Sequence, residues 1–323
     1  MLCKRTKYYI KRSIGMFNHL RNSTMDRSAK ILILTYHRIL PKVKFNPLNT
    51  IISLRIFHKQ IDKLVKKYDI VSLSEAVNQC KIGSAKAKIQ IVLTFDDGYQ
   101  DNYEVVYPIL KQKGLPATYF IAPDYIGIKN SLWDYEIFKI LYNNRNLHKI
   151  NIGGKDISQN IFQSRLFFIF SIIERIKSLD SNSRQKFLEI FRNEVQEKEI
   201  NDYLSDKCMT WDQIEELSLN DMEIGSHGLT HSSLARIPFD EAVQEITRSK
   251  EIIENNIKKK CIYFAFPFGS KKDYNSELID YIKNAGYQAC LLNTHGYNHI
   301  KKDAFCFRRI IMEDTTNLDY LLG

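Results

Sequence analysis

Short apolar runs alternate with segments of helical period along most of this 323-residue chain, and that rhythm constrains the fold more than any other feature. Strands are predicted at Ile31–Tyr36, Ile70–Ser72, Ile89–Phe95, Ala117–Ala122, Met222–Ser226, Cys261–Phe266, Ala289–Asn293 and Phe305–Met312. Between them, Phe57, Ile61, Leu64, Val65 and Tyr68 recur on one helical face. Val243, Ile246, Ile253 and Ile257 recur on another, behind Pro238 and a capping Asp240. A helix from Tyr274 to Ala285 is expected to stop at Gly286. Strands this short and apolar, separated by helices, predict a parallel sheet buried on both faces. Seven or eight such units favour an α/β fold closed into a (β/α) barrel over an open sheet.

One region breaks the rhythm. Residues 130–209 hold helical patterns rich in Phe and Ile at Phe162–Ile176 and Phe187–Glu199 but no strand pattern, which reads as a helical insertion between two barrel strands. Loops at the C-terminal ends of barrel strands carry function, so such an insertion either covers a site or packs as structure. The net charge of +10 is concentrated at the front, where eight basic residues and one acid lie in the first 30. A basic extension, residues 1–29, is therefore set apart from a barrel domain, residues 30–323. The extension is read first as a solvated tail and second as a weak contact with an anionic membrane surface, where each Lys or Arg contributes roughly 1 kcal/mol. With the charge confined there, the body gives no reason to expect a nucleic-acid partner. No run of about 18 apolar residues is present, and no apolar core of secretory length follows the basic stretch. Six cysteines without a Cys-x-x-Cys pair read as buried or free thiols of a reducing compartment. The expected location is cytoplasmic, free or peripheral at the inner membrane face.

Chemistry-bearing residues gather at the predicted strand ends. Asp96 and Asp97 follow one strand directly and precede Gly98. Two neighbouring carboxylates at a buried strand end need a compensating metal, arginine or shared proton, although Asp-Gly is also an ordinary turn pair. His227 and His231 follow another strand at i, i+4, a spacing that brings two imidazoles within reach of one divalent ion. Asp97 with His227 and His231 makes the two-imidazole, one-carboxylate set of a catalytic zinc site, leaving Asp96 as general base on a bound water. Backbone amides near Phe268 and Gly269 are placed to hold a developing oxyanion. No phosphate loop, dinucleotide fingerprint or zinc ribbon is present, so the only cofactor implied is a divalent metal, zinc first.

Thr94–Tyr99, Ser226–His231 and Phe264–Gly269, in this order, resemble the first three motifs of the polysaccharide deacetylase family, the nodulation-factor deacetylase homology domain of carbohydrate-esterase type. Leu34–Arg38 and Trp133 are similar to a bacterial branch of it, and the likeness runs from about Lys30 to Met312, least of all through the insertion. The resemblance implies a distorted barrel, a divalent metal, and removal of N-acetyl groups from carbohydrate. It makes Asp96 the base and Asp97, His227 and His231 the metal ligands. Ala265 stands where many members carry an Arg that orients the base; Arg309 or Arg38 is the expected replacement. The family's Leu-x-His motif, source of the general acid, is one residue too long at Leu292–His295, which leaves His295 and His37 as candidates. Tyr99, Trp133, Pro267, Phe268 and His37 are the candidate substrate contacts, with Tyr99 and Trp133 weighed equally as core packing. The expected function is deacetylation of an amino-sugar-containing polysaccharide, glycolipid or sugar precursor. The alternatives are hydrolysis of another C–N bond, in a formamide or cyclic amide, and glycan binding without turnover.

Overall fold

The computed structural model describes residues 29–43, 46, 48–84, 89–128, 131–160, 164–194, 207–300 and 304–322. Residues 1–28 of the basic extension and residues 195–206 of the expected insertion lie outside them. In chain order, β1 (Lys30–Tyr36), β2 (Arg38–Leu40) and β3 (Ile51–Ser53) lead into α1 (Leu54–Lys67), β4 (Asp69–Ile70), α2 (Leu73–Ile82), β5 (Ile89–Phe95), α3 (Tyr107–Lys113) and β6 (Thr118–Ile121). Then come α4 (Trp133–Asn143), β7 (Lys149–Ile152), β8 (Lys155–Ser158), α5 (Arg165–Ile176), α6 (Ser181–Glu194), α7 (Trp211–Leu219) and β9 (Glu223–Ser226). The chain closes with α8 (Phe239–Ile257), β10 (Tyr263–Ala265), α9 (Ser276–Asn284), β11 (Ala289–Leu292), β12 (Asn298–His299), β13 (Cys306–Ile311) and α10 (Leu318–Leu322).

Seven parallel strands form a closed ring: β1 pairs with β5, then follow β6, β9, β10, β11 and β13, which returns to β1. Every predicted strand exists, but β4 pairs only with β5 and stays outside the ring, and β12 pairs antiparallel with β1. Side-chain alternation sorts the strands into two apolar layers. Ile31, Ile33, Val92, Phe120, Ala265, Leu291 and Phe307 form one cluster, plugged by Leu73, Ala76 and Val77 of α2. The intervening residues, Leu32, Leu34, Leu93 and Phe95 among them, pack with Phe57, Ile61 and Leu64 of α1 in the helix-facing layer.

The insertion has a core of its own, built from Trp133, Ile137 and Leu141 of α4, Ile152 of β7, Ile169 and Ile172 of α5, and Phe191 of α6. It is not wholly helical: β7 and β8 form an antiparallel hairpin where no strand was expected. Gly153 and Gly154, both at positive φ (58° and 77°), supply the turn such a hairpin requires, so a Gly-Gly pair was the missed signal. Cys290 and Cys306 face each other across β11 and β13 with their sulfurs 3.1 Å apart, and all five described cysteines are free thiols.

Candidate metal centre

Strand parity gives the adjacent carboxylates different surroundings. Asp96 continues the inward row of Val92 and Thr94 and is fully buried. Asp97 takes φ 76°, which swings its side chain out of that row. Gly98 follows at φ 72°, where an added Cβ would lie 3.1 Å from Ile121 and 3.2 Å from Ile126. His231 and Phe268 also hold positive φ, at 55° and 61°, so three of the six non-glycine residues with this strained backbone among the described residues cluster here.

His227, at the end of β9, donates from Nδ1 to the Ala265 carbonyl at 2.7 Å. That bond fixes the tautomer and leaves Nε2 a lone pair, which points at Asp97 Oδ1 from 3.5 Å. His231 Nε2 approaches the same oxygen at 3.4 Å. Ligand atoms of Asp97, His227 and His231 lie within 4.8 Å of one another, and all three residues are buried. The edge of a tetrahedron with metal–ligand spokes of zinc length is about 3.4 Å, so the two measured edges fit such an ion.

Four residues hold the His227–His231 loop. Glu245 of α8 accepts from the Leu229 and Thr230 amides (2.7 and 2.9 Å) and from both the Thr230 and Ser232 hydroxyls. Arg184 of α6 donates to Thr230 Oγ1 and Ser232 Oγ at 2.6 and 2.8 Å. The Trp133 indole donates to the His231 carbonyl at 3.1 Å, and Asp134 Oδ1 stands 3.4 Å from His231 Nδ1.

Burial opposes ionisation of Asp96, yet the Arg309 guanidinium, with help from His227 and His37, holds its carboxyl below the usual range. Burial opposes the charge on Asp97 as well, and the hydrogen bond and charge of His231, then His37 and His227, outweigh it and hold the carboxyl far down. The imidazoles separate. Burial pushes His227 down to about 4, against the pull of Asp96. His231 also resists charge through burial, but Asp134 and Asp97 prevail and raise it to about 10. The acids beside His231 thus keep that ring charged where burial alone would neutralise it, while His227 stays neutral.

Arg309 answers the departure at Ala265. Its Nη1 donates to Asp96 Oδ1 at 2.7 Å, inside the barrel. Arg38, the other expected replacement, instead pairs with Asp101 at 3.0 Å. Asp101 also accepts from the Ile39 amide, and Asn102 donates to the His37 carbonyl at 3.0 Å, which fixes the His37 main chain directly after β1. His295 lies half-buried on the loop after β11, two residues beyond Asn293, which binds the Gly269 and Phe268 carbonyls.

Three expectations need correction. Trp133 is fully buried and engaged through its indole, so it supports His231 and offers no face to a sugar. Tyr99, 3% exposed, is covered by the Arg38 guanidinium 4.6 Å above its ring and by Tyr135, so it too is packing. The Gly269 amide donates to the Pro267 carbonyl at 2.6 Å and is not available to an oxyanion, which leaves the Phe268 amide. Pro267 is buried in that turn. Phe268 is half-buried, its ring 4.7 Å from that of His231 and capped by the Lys177 ammonium at 3.7 Å. Asp134, Glu245 and Arg184 were not anticipated; an acid directly after Trp133 was the one available hint.

Fold and site together define a class: (β/α) barrels that gather one carboxylate and two imidazoles at their strand ends beside an arginine-held carboxylate. The chain belongs to the polysaccharide deacetylase family, whose profile matches residues 83–151 and 179–290. The unmatched residues 152–178 hold β8 and α5 of the insertion. The chain is 33% identical to YxkH of Bacillus subtilis strain 168 over 120 residues, 35% of this chain and 39% of that protein. It is 25% identical to poly-beta-1,6-N-acetyl-D-glucosamine N-deacetylase of Staphylococcus epidermidis over 194 residues, 53% of this chain and 60% of the relative. The matches thus span less than two thirds of the length of either relative. Among solved structures, Streptococcus pyogenes deacetylase PplD in complex with acetate shares the fold, with a TM-score of 0.59 over 91% of this chain and 97% of that one at 19% identity.

Proposed function

We propose that this chain is a metal-dependent hydrolase that removes N-acetyl groups from an amino-sugar glycan. The carrying observation is a division of labour between adjacent carboxylates. Asp97 faces two imidazoles, while Asp96 is anchored at Oδ1 by Arg309 and keeps Oδ2 without a hydrogen-bond partner among the described residues.

Asp97, His227 and His231 would hold the ion, and a carboxylate with two imidazoles suits zinc. Such an ion, when bound, supplies Lewis acidity at the amide carbonyl and makes bound water more acidic. Asp96 Oδ2 takes a proton from the attacking water, while Arg309 keeps the carboxylate charged and fixes its rotation. The Phe268 amide offers a donor to the carbonyl oxygen as charge develops. The leaving nitrogen needs a proton, for which His37, directly after β1, and His295, on the loop after β11, are the candidates.

The staphylococcal relative is named for poly-β-1,6-N-acetyl-D-glucosamine. Its name supports N-acetylglucosamine units, in a polymer, a glycolipid or a sugar precursor, as the substrate class here. A cytoplasmic location, free or at the inner membrane face, is part of the proposal and rests on the sequence; cell fractionation tests it. Among the described residues no helix is long and apolar enough to cross a membrane. The test of activity is acetate release from N-acetylglucosamine oligomers with zinc present, comparing wild type with Asp96→Asn. Release by wild type and its loss in the variant are expected. Release of formate, or turnover of cyclic amides alone, redirects the assignment to another C–N bond; equal, negligible rates leave a glycan-binding protein.

A further inference from the structure

His227 and His231 are supported in different ways. The Nδ1–H of His227 is taken by a peptide carbonyl of β10, part of the barrel itself. His231 Nδ1 faces Asp134 Oδ1 at 3.4 Å, an ion-pair contact, and neither atom has a hydrogen-bond partner among the described residues. Asp134 sits in the first turn of α4, the helix that begins the insertion's own apolar core. The preceding residue, Trp133, holds the His231 carbonyl. Two consecutive residues of the inserted unit therefore grip His231, one by its ring and one by its main chain.

We propose that Asp134 is a positioning residue for the metal centre: it takes the Nδ1 proton of His231, directs Nε2 toward Asp97, and so makes the ion affinity of the barrel depend on the inserted unit. The proposal rests on the metal reading above. A carboxylate behind a ligating imidazole orients the ring and raises its basicity, and loss of such a partner weakens metal binding by roughly 10–100-fold. The insertion then acts as a strut beneath the ion, in contrast to a cover over it.

The test is the zinc dissociation constant, measured by competition with a chromophoric chelator, for wild type, Asp134→Asn, Asp134→Ala and Trp133→Phe. Asp134→Ala is expected to weaken zinc by roughly 10–100-fold, with Asp134→Asn, which keeps an uncharged acceptor, between it and wild type. Trp133→Phe, which removes the N–H to the His231 carbonyl and part of a buried ring but leaves the carboxylate behind the imidazole in place, should change affinity least. Thermal unfolding separates this from a merely structural role: the gain in midpoint on adding zinc should shrink in the Asp134 variants beyond whatever the loss of the charge beside His231 takes from the metal-free midpoint. Wild-type affinity in Asp134→Ala, or a loss of affinity accounted for by a lower metal-free midpoint, overturns the proposal. If wild type itself shows no saturable zinc binding, or His231→Ala binds as tightly as wild type, the metal reading falls, and this proposal falls with it.

Discussion

Arg309 and Asp96 stand 213 residues apart in the chain, yet their side chains share a 2.7 Å hydrogen bond with no solvent access to either. The pair places a fixed positive charge on one oxygen of the inner carboxylate. Removing the guanidinium leaves that carboxylate uncompensated, which costs about 3–5 kcal/mol when one partner of a buried pair is lost. Arg309→Met is expected to unfold at lower urea and to lose acetate release by about 10²–10³-fold. Without Arg309, burial prevails and the Asp96 pKa rises, so the base is unprotonated only at higher pH. In Arg309→Met the acidic limb of kcat/KM against pH, read on the residual activity, should therefore move upward; an unshifted limb refutes this account of the pair.

Metal removal gives a second prediction. Dialysis against a chelator should abolish acetate release and lower the thermal midpoint, with both restored by added zinc. At a free zinc concentration of 100 times Kd the stabilisation is about 2.7 kcal/mol. His227→Ala and Asp97→Ala should gain nothing from zinc. Elemental analysis alongside calorimetry checks both, and full activity in a demonstrably metal-free sample would contradict the ligand assignment.

Glu245 governs the shape of the histidine loop by accepting four hydrogen bonds on one carboxylate. Glu245→Ala strands two amides and takes an acceptor from two hydroxyls that keep Arg184 and each other, at a cost of about 2–4 kcal/mol. Urea unfolding should show that loss, and zinc affinity should fall with it. A change below about 0.5 kcal/mol would place the loop's stability elsewhere.

Gly225 on β9 sits where a Cβ would lie 2.4 Å from Phe120 and 3.1 Å from the Tyr263 carbonyl. Gly225→Ala therefore overpacks the barrel interior, at about 1–3 kcal/mol. Pairing it with Phe120→Leu should recover part of the loss, measured as a double-mutant cycle in urea. Additive effects would mean that the two side chains do not compete for the same space.

The strands were legible because their apolar runs are bounded by polar turn residues, and the meeting of Asp97, His227 and His231 because they fall directly after two of them. The choice between Arg38 and Arg309 was not legible. Both follow or lie in predicted strands, and which arginine points inward depends on a one-residue parity that only the β1–β13 register settles, with Ile33 opposite Arg309. Arg308, its neighbour, faces outward. Trp133 and Tyr99 were ambiguous for a related reason: an aromatic ring near a site reads the same in sequence whether its faces are open or already covered. Asp134 depends on how the insertion docks, a long-range relationship with no periodic signature.

The acceptor behind His227 is a peptide oxygen, and residue 265 supplies it whatever its side chain. No single substitution at 265 deletes that support directly; the strand backbone itself would have to shift. One imidazole of the pair is thus insured against mutation of its prop, whereas its partner leans on a side chain that one codon change can remove. Laboratory variation of this chain should find the tolerance of its two histidines' surroundings sharply unequal.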